Sequence, residues 1–258
     1  MGSYADLKVR LASAALLILL AIAAFWRGGP PLVALAMAGA GLMLWEYRRI
    51  TTGDVTFGSP AMWLYCGGGA AAAGAVSLGT LPALGVLAAV TLSTVLLERR
   101  HLAWLAPGLV YIALGVGALP PIQEAGGFWL IAWLVMVVAL ADVGGYFAGR
   151  AIGGPKLWPA VSPKKTWAGA IGGWGLAALG GLVGALGGLM PLAGAIWLAL
   201  ILAVASQAGD LLESWIKRRF GVKDSSALIP GHGGLLDRFD GLLGALWAFG
   251  ALGVLGLN

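Results

Sequence analysis

From residue 166 to residue 209 the chain carries no charged side chain, and the same is true from 241 to 258. Uncharged runs of that length are incompatible with the surface of a soluble domain. They suit crossings of about 30 Å of hydrocarbon, each of which needs about 17–25 apolar residues. The whole chain of 258 residues obeys the same rule, being 60% hydrophobic and only 10% charged, with a mean hydropathy of +0.91. A soluble domain carries about 25% charged residues. The 43 glycines suit closely approaching membrane helices, and the single cysteine, Cys66, excludes a disulfide scaffold. The expectation is an all-α polytopic membrane protein.

Apolar runs near 11–26, 30–46, 60–77, 80–97, 102–121, 127–147, 168–189, 191–212 and 241–257 predict roughly nine transmembrane helices. With nine crossings, the N-terminus and the stretches after every second span share one side. That side then holds Lys8, Arg10, Arg48, Arg49, Arg99, Arg100, Arg150, Lys156, Lys164, Lys165, Lys217, Arg218, Arg219, Lys223 and Arg238, which is 15 of the 16 basic residues; only Arg27 faces the other way. This asymmetry predicts a cytoplasmic N-terminus and accounts for the net charge of +5 without nucleic acid as a partner.

Charge is unevenly spread. After position 141, all 15 charged residues fall within 142–165 and 210–240. The chain therefore divides into N-terminal scaffold helices, 1–126, and a catalytic transmembrane region, 127–258, with cytoplasmic loops at 148–167 and 214–240. The 12 tryptophans read as interface anchors, His101 and Glu124 as solvated loop residues, and Cys66 as a thiol packed inside a helix.

Asp142 sits near the cytoplasmic end of the apolar run LIAWLVMVVALAD, where a carboxylate marks function or pairs with a base such as Arg150. After a glycine-rich stretch, Ser162, Lys164, Lys165 and Thr166 cluster beside two prolines. Two ammonium groups and two hydroxyls at the membrane surface suit a phosphate, or equally a patch that attracts anionic lipid. The segment 206–241 is denser. Asp210, Glu213 and Lys217 are spaced to share one helix face. Lys223 and Asp224 follow, and Asp237 and Asp240 are again three apart. Five of the eleven acids lie within these 31 residues, from 210 to 240, interleaved with Lys217, Arg218, Arg219, Lys223 and Arg238. Such mixing fits either a salt-bridged loop of small energetic weight or a site for a divalent cation and polyphosphate. Mg²⁺ takes one or two carboxylates plus water and substrate phosphates. The Pro230-Gly231-His232-Gly233-Gly234 run, whose backbone N–H groups can cradle an anion, favours the second. The lack of clustered His and Cys argues against zinc.

The run from Ser214 to Asp240, SWIKRRFGVKDSSALIPGHGGLLDRFD, resembles the signature of the phosphatidate cytidylyltransferases, or CDP-diacylglycerol synthases. It matches at the Ser, Lys-Arg, Lys-Asp, His-Gly-Gly and Asp-Arg-x-Asp positions. Gly209 to Glu213 fits the same family, as do Asp142 to Arg150, Leu157-x-Pro159 and Ser162-Pro163-Lys164-Lys165-Thr166. One departure is Ala168, where the family often has an acid. Any role of that acid is absent here or supplied by another residue.

The resemblance implies a nucleotidyltransferase of phospholipid biosynthesis, with CTP and phosphatidate as substrates, CDP-diacylglycerol and pyrophosphate as products, and Mg²⁺, with room for a second cation, as cofactor. It implies a bacterial inner membrane and an active site facing the cytoplasm, and the small-residue helices make a homodimer plausible. On this reading Asp210, Asp237, Asp240 and Asp142 are metal ligands, and Lys223 and Asp224 join Asp210, Asp237 and Asp240 as catalytic residues. Lys217, Arg218, Lys223 and Arg238 hold the phosphates of CTP. Ser162, Lys164, Lys165 and Thr166 grip the lipid phosphate or the nucleotide, and His232 donates to a phosphate. Rival readings are a CTP-dependent lipid kinase and an ion-coupled transporter using Asp142 and Asp210. A CDP-alcohol phosphotransferase would show a D-G-x-x-A-R run, which the chain lacks.

Overall fold

The structure, a computed structural model, describes residues 4–54, 58–229 and 233–254. Among them are nine α-helices: α1 (Tyr4–Arg27), α2 (Gly29–Thr52), α3 (Pro60–Ala75), α4 (Thr80–Leu97), α5 (Leu102–Gly117), α6 (Leu119–Ile152), α7 (Trp167–Leu186), α8 (Leu192–Arg219) and α9 (Leu236–Val254). They follow the order of the apolar runs. Several extend further, because a helix that has saturated its backbone in hydrocarbon continues into the interface until a breaker stops it. Thus α2 runs past 46 to a left-handed Gly53, and α8 runs past 212 to Arg219.

Among the described residues, six helical segments are long and apolar enough to cross a membrane: Gly29–Thr52, Pro60–Leu78, Thr80–Leu97, Arg99–Ile152, Trp167–Leu186 and Leu192–Arg219. Ala15–Arg27 is a shorter apolar helix. The Arg99–Ile152 segment, 54 residues long, would measure about 80 Å as one helix, more than twice the hydrocarbon thickness. It is broken between α5 and α6 and again at Gly127, whose φ of 66° and ψ of −165° lie outside the helical region. The last helix, α9, opens on Asp237, Arg238 and Asp240, and only its later turns are uncharged.

The loop expected at 148–167 is partly a β-hairpin. Strands β1 (Lys156–Trp158) and β2 (Ser162–Thr166) pair antiparallel, with Lys156 opposite Thr166 and Trp158 opposite Ser162. An all-α reading misses it because strands this short, carrying charges and a proline, leave no periodic signal.

The chain forms two compact units, Met1–Gly127 with Phe220–Phe239, and Phe128–Arg219 with Asp240–Asn258. In the first, Leu32, Leu44, Met62, Tyr65, Leu105, Leu109 and Ile112 form the buried core. The Tyr47 hydroxyl donates to the Trp104 carbonyl at 3.0 Å and the Tyr65 hydroxyl to the Leu105 carbonyl at 2.8 Å, pinning α2 and α3 to the start of α5. Arg48, only 4% exposed, donates to both Glu98 and Asp54 and so ties α2 to the end of α4. The free thiol of Cys66 is buried in α3, as expected.

Glycine sets the packing of the second unit. A Cβ on Gly209 of α8 would lie 2.5 Å from the Asp240 carbonyl oxygen, and one on Gly244 of α9 only 2.3 Å from the Ala205 carbonyl oxygen. No side chain fits there, so the α8 and α9 backbones touch directly and Asp240 is brought beside the charged end of α8. Gly244→Val is therefore expected to lower the thermal midpoint in detergent by the equivalent of about 1–3 kcal/mol of overpacking. Gly175→Ala, whose new methyl meets nothing within 4 Å, should leave it unchanged or raise it slightly. Differential scanning fluorimetry on both variants checks this.

Candidate functional site

The charged end of α8 carries the predicted face. Asp210, Glu213 and Lys217 lie one turn apart in succession, and each is engaged. Asp210 Oδ2 accepts from Lys165 Nζ at 2.5 Å and Asp210 Oδ1 accepts from Ser214 Oγ at 3.3 Å. Glu213 Oε2 accepts from Lys217 Nζ at 2.9 Å. Asp240 lies close enough to Asp210 and Glu213 for their charges to interact, and its Oδ1 accepts from the Gly241 N–H at 2.7 Å. Asp142 on α6 feels both Asp210 and Lys165. Among the described residues the second unit thus gathers four carboxyl groups, from Asp142, Asp210, Glu213 and Asp240, around the ammonium groups of Lys165 and Lys217.

That imbalance is the site's main electrostatic property. Carboxylates in excess of cations repel unless a further cation or a proton joins them, and the cost rises as water is withdrawn. One polar atom points to such a group. Among the described residues, Glu213 Oε1 is buried with no hydrogen-bond partner. A buried oxygen with an unused lone pair beside the Asp240 carboxyl group suits a hard cation that takes oxygen ligands. Among the described residues no three acids or histidines close up into a ready-made metal cage. A cation here would rest on one or two carboxylates and draw its remaining oxygens from water and substrate, which is the Mg²⁺ pattern.

On the hairpin, Lys165 reaches Asp210, whereas Lys164 is exposed and Ser162 half-buried. Thr166 acts locally. Its hydroxyl accepts from the Gly169 N–H at 3.1 Å and caps the N-terminus of α7. Arg218 is exposed at the end of α8.

The rest of the predicted site belongs to the first unit. Lys223, Asp224 and Arg238 lie there, the first two exposed or nearly so at the start of the loop that follows α8. Asp237 is enclosed by its own loop: Oδ2 accepts from the Ser225 N–H at 2.9 Å, the Ser225 hydroxyl at 2.9 Å and the Gly234 N–H at 3.0 Å. Hence Asp237 and Asp240, expected on one helix face, have different partners. His232 lies outside the described residues, as do Pro230 and Gly231.

Two acids stand out in the structure to which the sequence assigns no role in the site. Glu213 shares the predicted face, and its spacing from Asp210 is the available signal for a role beside it. Glu46, at the end of an apolar run in the first half, gives no signal at all. It is 0% exposed, and its carboxylate accepts from the Ser226 hydroxyl at 2.5 Å, the Leu235 N–H at 2.8 Å, the Leu236 N–H at 2.6 Å and the Ser225 hydroxyl at 3.2 Å.

The profile of the cytidylyltransferase family matches residues 8–254. The chain belongs to that family. A phosphatidate cytidylyltransferase of Brucella suis is 50% identical to it over 159 residues, covering 58% of this chain and 57% of that protein. One from Helicobacter pylori is 36% identical over 173 residues, 66% of this chain and 62% of the relative. A third, from Haemophilus influenzae, is 45% identical over 126 residues, 46% of this chain and 44% of the relative. The matches therefore span less than two thirds of the length of these curated relatives. Within this cytidylyltransferase-family chain, the buried ion pair of Glu213 and Lys217 is the part of the cluster most exposed to mutation. Lys217→Met strands the Glu213 carboxylate and is expected to destabilise by about 3 kcal/mol. Adding Glu213→Gln should recover most of that loss, because the side chain that lost its ammonium partner is then neutral. A double-mutant cycle of chemical denaturation in detergent measures it.

Proposed function

We propose that this protein transfers the cytidylyl group of CTP to phosphatidate, yielding CDP-diacylglycerol and pyrophosphate. The observation that carries the reading is the carboxylate-rich cluster of Asp142, Asp210, Glu213 and Asp240, held by Lys165 and Lys217 at the end of an apolar helix. Family membership and the names of the curated relatives support it.

One substrate is a lipid whose phosphate stays at the membrane surface, and the other is a soluble triphosphate. A phosphate oxygen of the lipid attacks the α-phosphorus of CTP in line. The bond from that phosphorus to the oxygen bridging to the β-phosphate breaks, and pyrophosphate leaves with the electron pair. Little general-base help is needed, since a phosphate monoester is already anionic near neutral pH. The difficulty is repulsion between two polyanions. Mg²⁺, when bound, offsets that charge, and one or two of Asp210, Asp240, Glu213 and Asp142 would hold it. Lys165 and Lys217, each anchored by one carboxylate, supply fixed positive charge to the phosphate oxygens. Anchoring matters because a preset ammonium need not reorganise as charge shifts to the leaving group. Lys164, Ser162 and Arg218 extend this positive and hydroxylic surface. By the resemblance, Lys223, Asp224, Asp237 and Arg238 serve the same reaction.

We further propose nine crossings, with the N-terminus and the active site on the cytoplasmic side of a bacterial inner membrane. The supporting observation is the sorting of basic residues to one face under that count.

Labelled CTP tests the reaction. Label on the α-phosphorus is expected in the lipid product and label on the γ-phosphorus in pyrophosphate. Entry of γ-label into lipid would establish the lipid-kinase reading instead. Activity should vanish in EDTA and return with Mg²⁺. Asp210→Asn is expected to lower turnover by about 100-fold or more with an unchanged elution profile on size exclusion; near-normal turnover would remove the role of that carboxylate.

A further inference from the structure

Glu46 belongs to none of the groups discussed under the reaction, yet it is the most completely satisfied buried acid in the first unit among the described residues. Each of its oxygens faces one backbone N–H and one serine hydroxyl: Oε1 accepts from Leu235 N and Ser226 Oγ, Oε2 from Leu236 N and Ser225 Oγ. A backbone N–H can only donate, and one sits on each oxygen, so both oxygens act as acceptors. No cation takes part in these contacts. The first N–H groups of α9 take that place, because the unpaired N–H groups at the start of a helix stabilise negative charge.

The geometry points to Glu46 as a positioning residue that holds segments 223–229 and 233–237 in place for cytidylyl transfer, an inference that rests on the reaction proposed above. Three observations carry it. Glu46 lies about 180 residues from its partners in sequence, so it joins α2 to a loop whose own backbone pairing, among the described residues, centres on the bridge between Ile229 and Gly233. Its contacts bracket both ends of that loop, at Ser225-Ser226 and at Leu235-Leu236. Ser225 also links it to Asp237, since the one hydroxyl lies 3.2 Å from Glu46 Oε2 and 2.9 Å from Asp237 Oδ2, and the Ser225 N–H donates to the same aspartate. Orienting Ser225 therefore orients Asp237, and it fixes Lys223 and Asp224 immediately before it in the chain. Gly234 closes the arrangement: a Cβ there would lie 1.8 Å from Ser225 Oγ and 2.7 Å from Glu46 Oε1.

The test compares the full chain in detergent with Glu46→Gln, Ser225→Ala and, as a stability control, Glu98→Gln, which weakens the hold on Arg48 in the same unit. The isosteric Glu46→Gln turns an N–H₂ toward a backbone N–H, which can only donate. It is expected to speed amide exchange in peptides covering 224–237 by about tenfold or more while peptides from α3 and α5 exchange as in the parent. It should lower kcat at least about tenfold, with KM for phosphatidate unchanged. Ser225→Ala should show the same pattern more weakly, and Glu98→Gln should lower the thermal midpoint with kcat retained. A Glu46→Gln protein with parental kcat overturns the proposal. So does one whose exchange rises throughout the unit, since that is a general loss of stability. If the parent protein forms no cytidylyl lipid, the reaction proposed above fails, whereas the exchange measurements still decide whether Glu46 anchors the loop.

Discussion

A charge withdrawn from water must find its compensation inside the protein, and each part of this structure turns on how that is done. Arg48 is enclosed by Glu98 and Asp54. Glu46 is enclosed by two hydroxyls and the first N–H groups of α9. Asp237 takes two N–H groups and a hydroxyl of its own loop. Each of the three is met by several hydrogen-bonding partners. The cluster around Asp210 is different, because Glu213 there keeps a buried oxygen with no hydrogen bond. Matched groups hold structure; an unmatched group is where a charged ligand gains most by binding.

Small residues make that cluster possible. Asp210 and Asp240 sit on separate helices, and their approach depends on Gly209 and Gly244, which let two backbones meet without side chains between them. In hydrocarbon, helices gain little from burying apolar surface against one another, so close packing and polar contacts hold the bundle. The same glycines that give the chain its bland, low-complexity look are what bring its acids together.

Much of this is legible in the sequence. The order of the helices follows from uncharged runs of spanning length, and the Asp210, Glu213, Lys217 face follows from helical spacing, because both are properties of neighbouring residues. The pairing of Lys165 with Asp210, 45 residues away, is not legible. Sequence alone leaves Lys165 to a phosphate or to anionic lipid, since nothing local marks which acid a lysine will meet. The hairpin at 156–166 escapes for want of periodicity, and so does the part Thr166 plays in capping α7.

What the sequence determined alone was the class of the protein, a helical membrane chain of the cytidylyltransferase family, because hydrophobicity and motif spacing survive without knowledge of distant contacts. Only the tertiary structure decided which acids are spent on holding the fold and which are left with capacity to bind. Glu46 and Glu213 are each an acid near the end of an apolar run. One meets four donors from a loop about 190 positions away, and the other meets a single lysine and further carboxyl groups. That difference is a matter of which partners the folded chain supplies, and no local pattern encodes it.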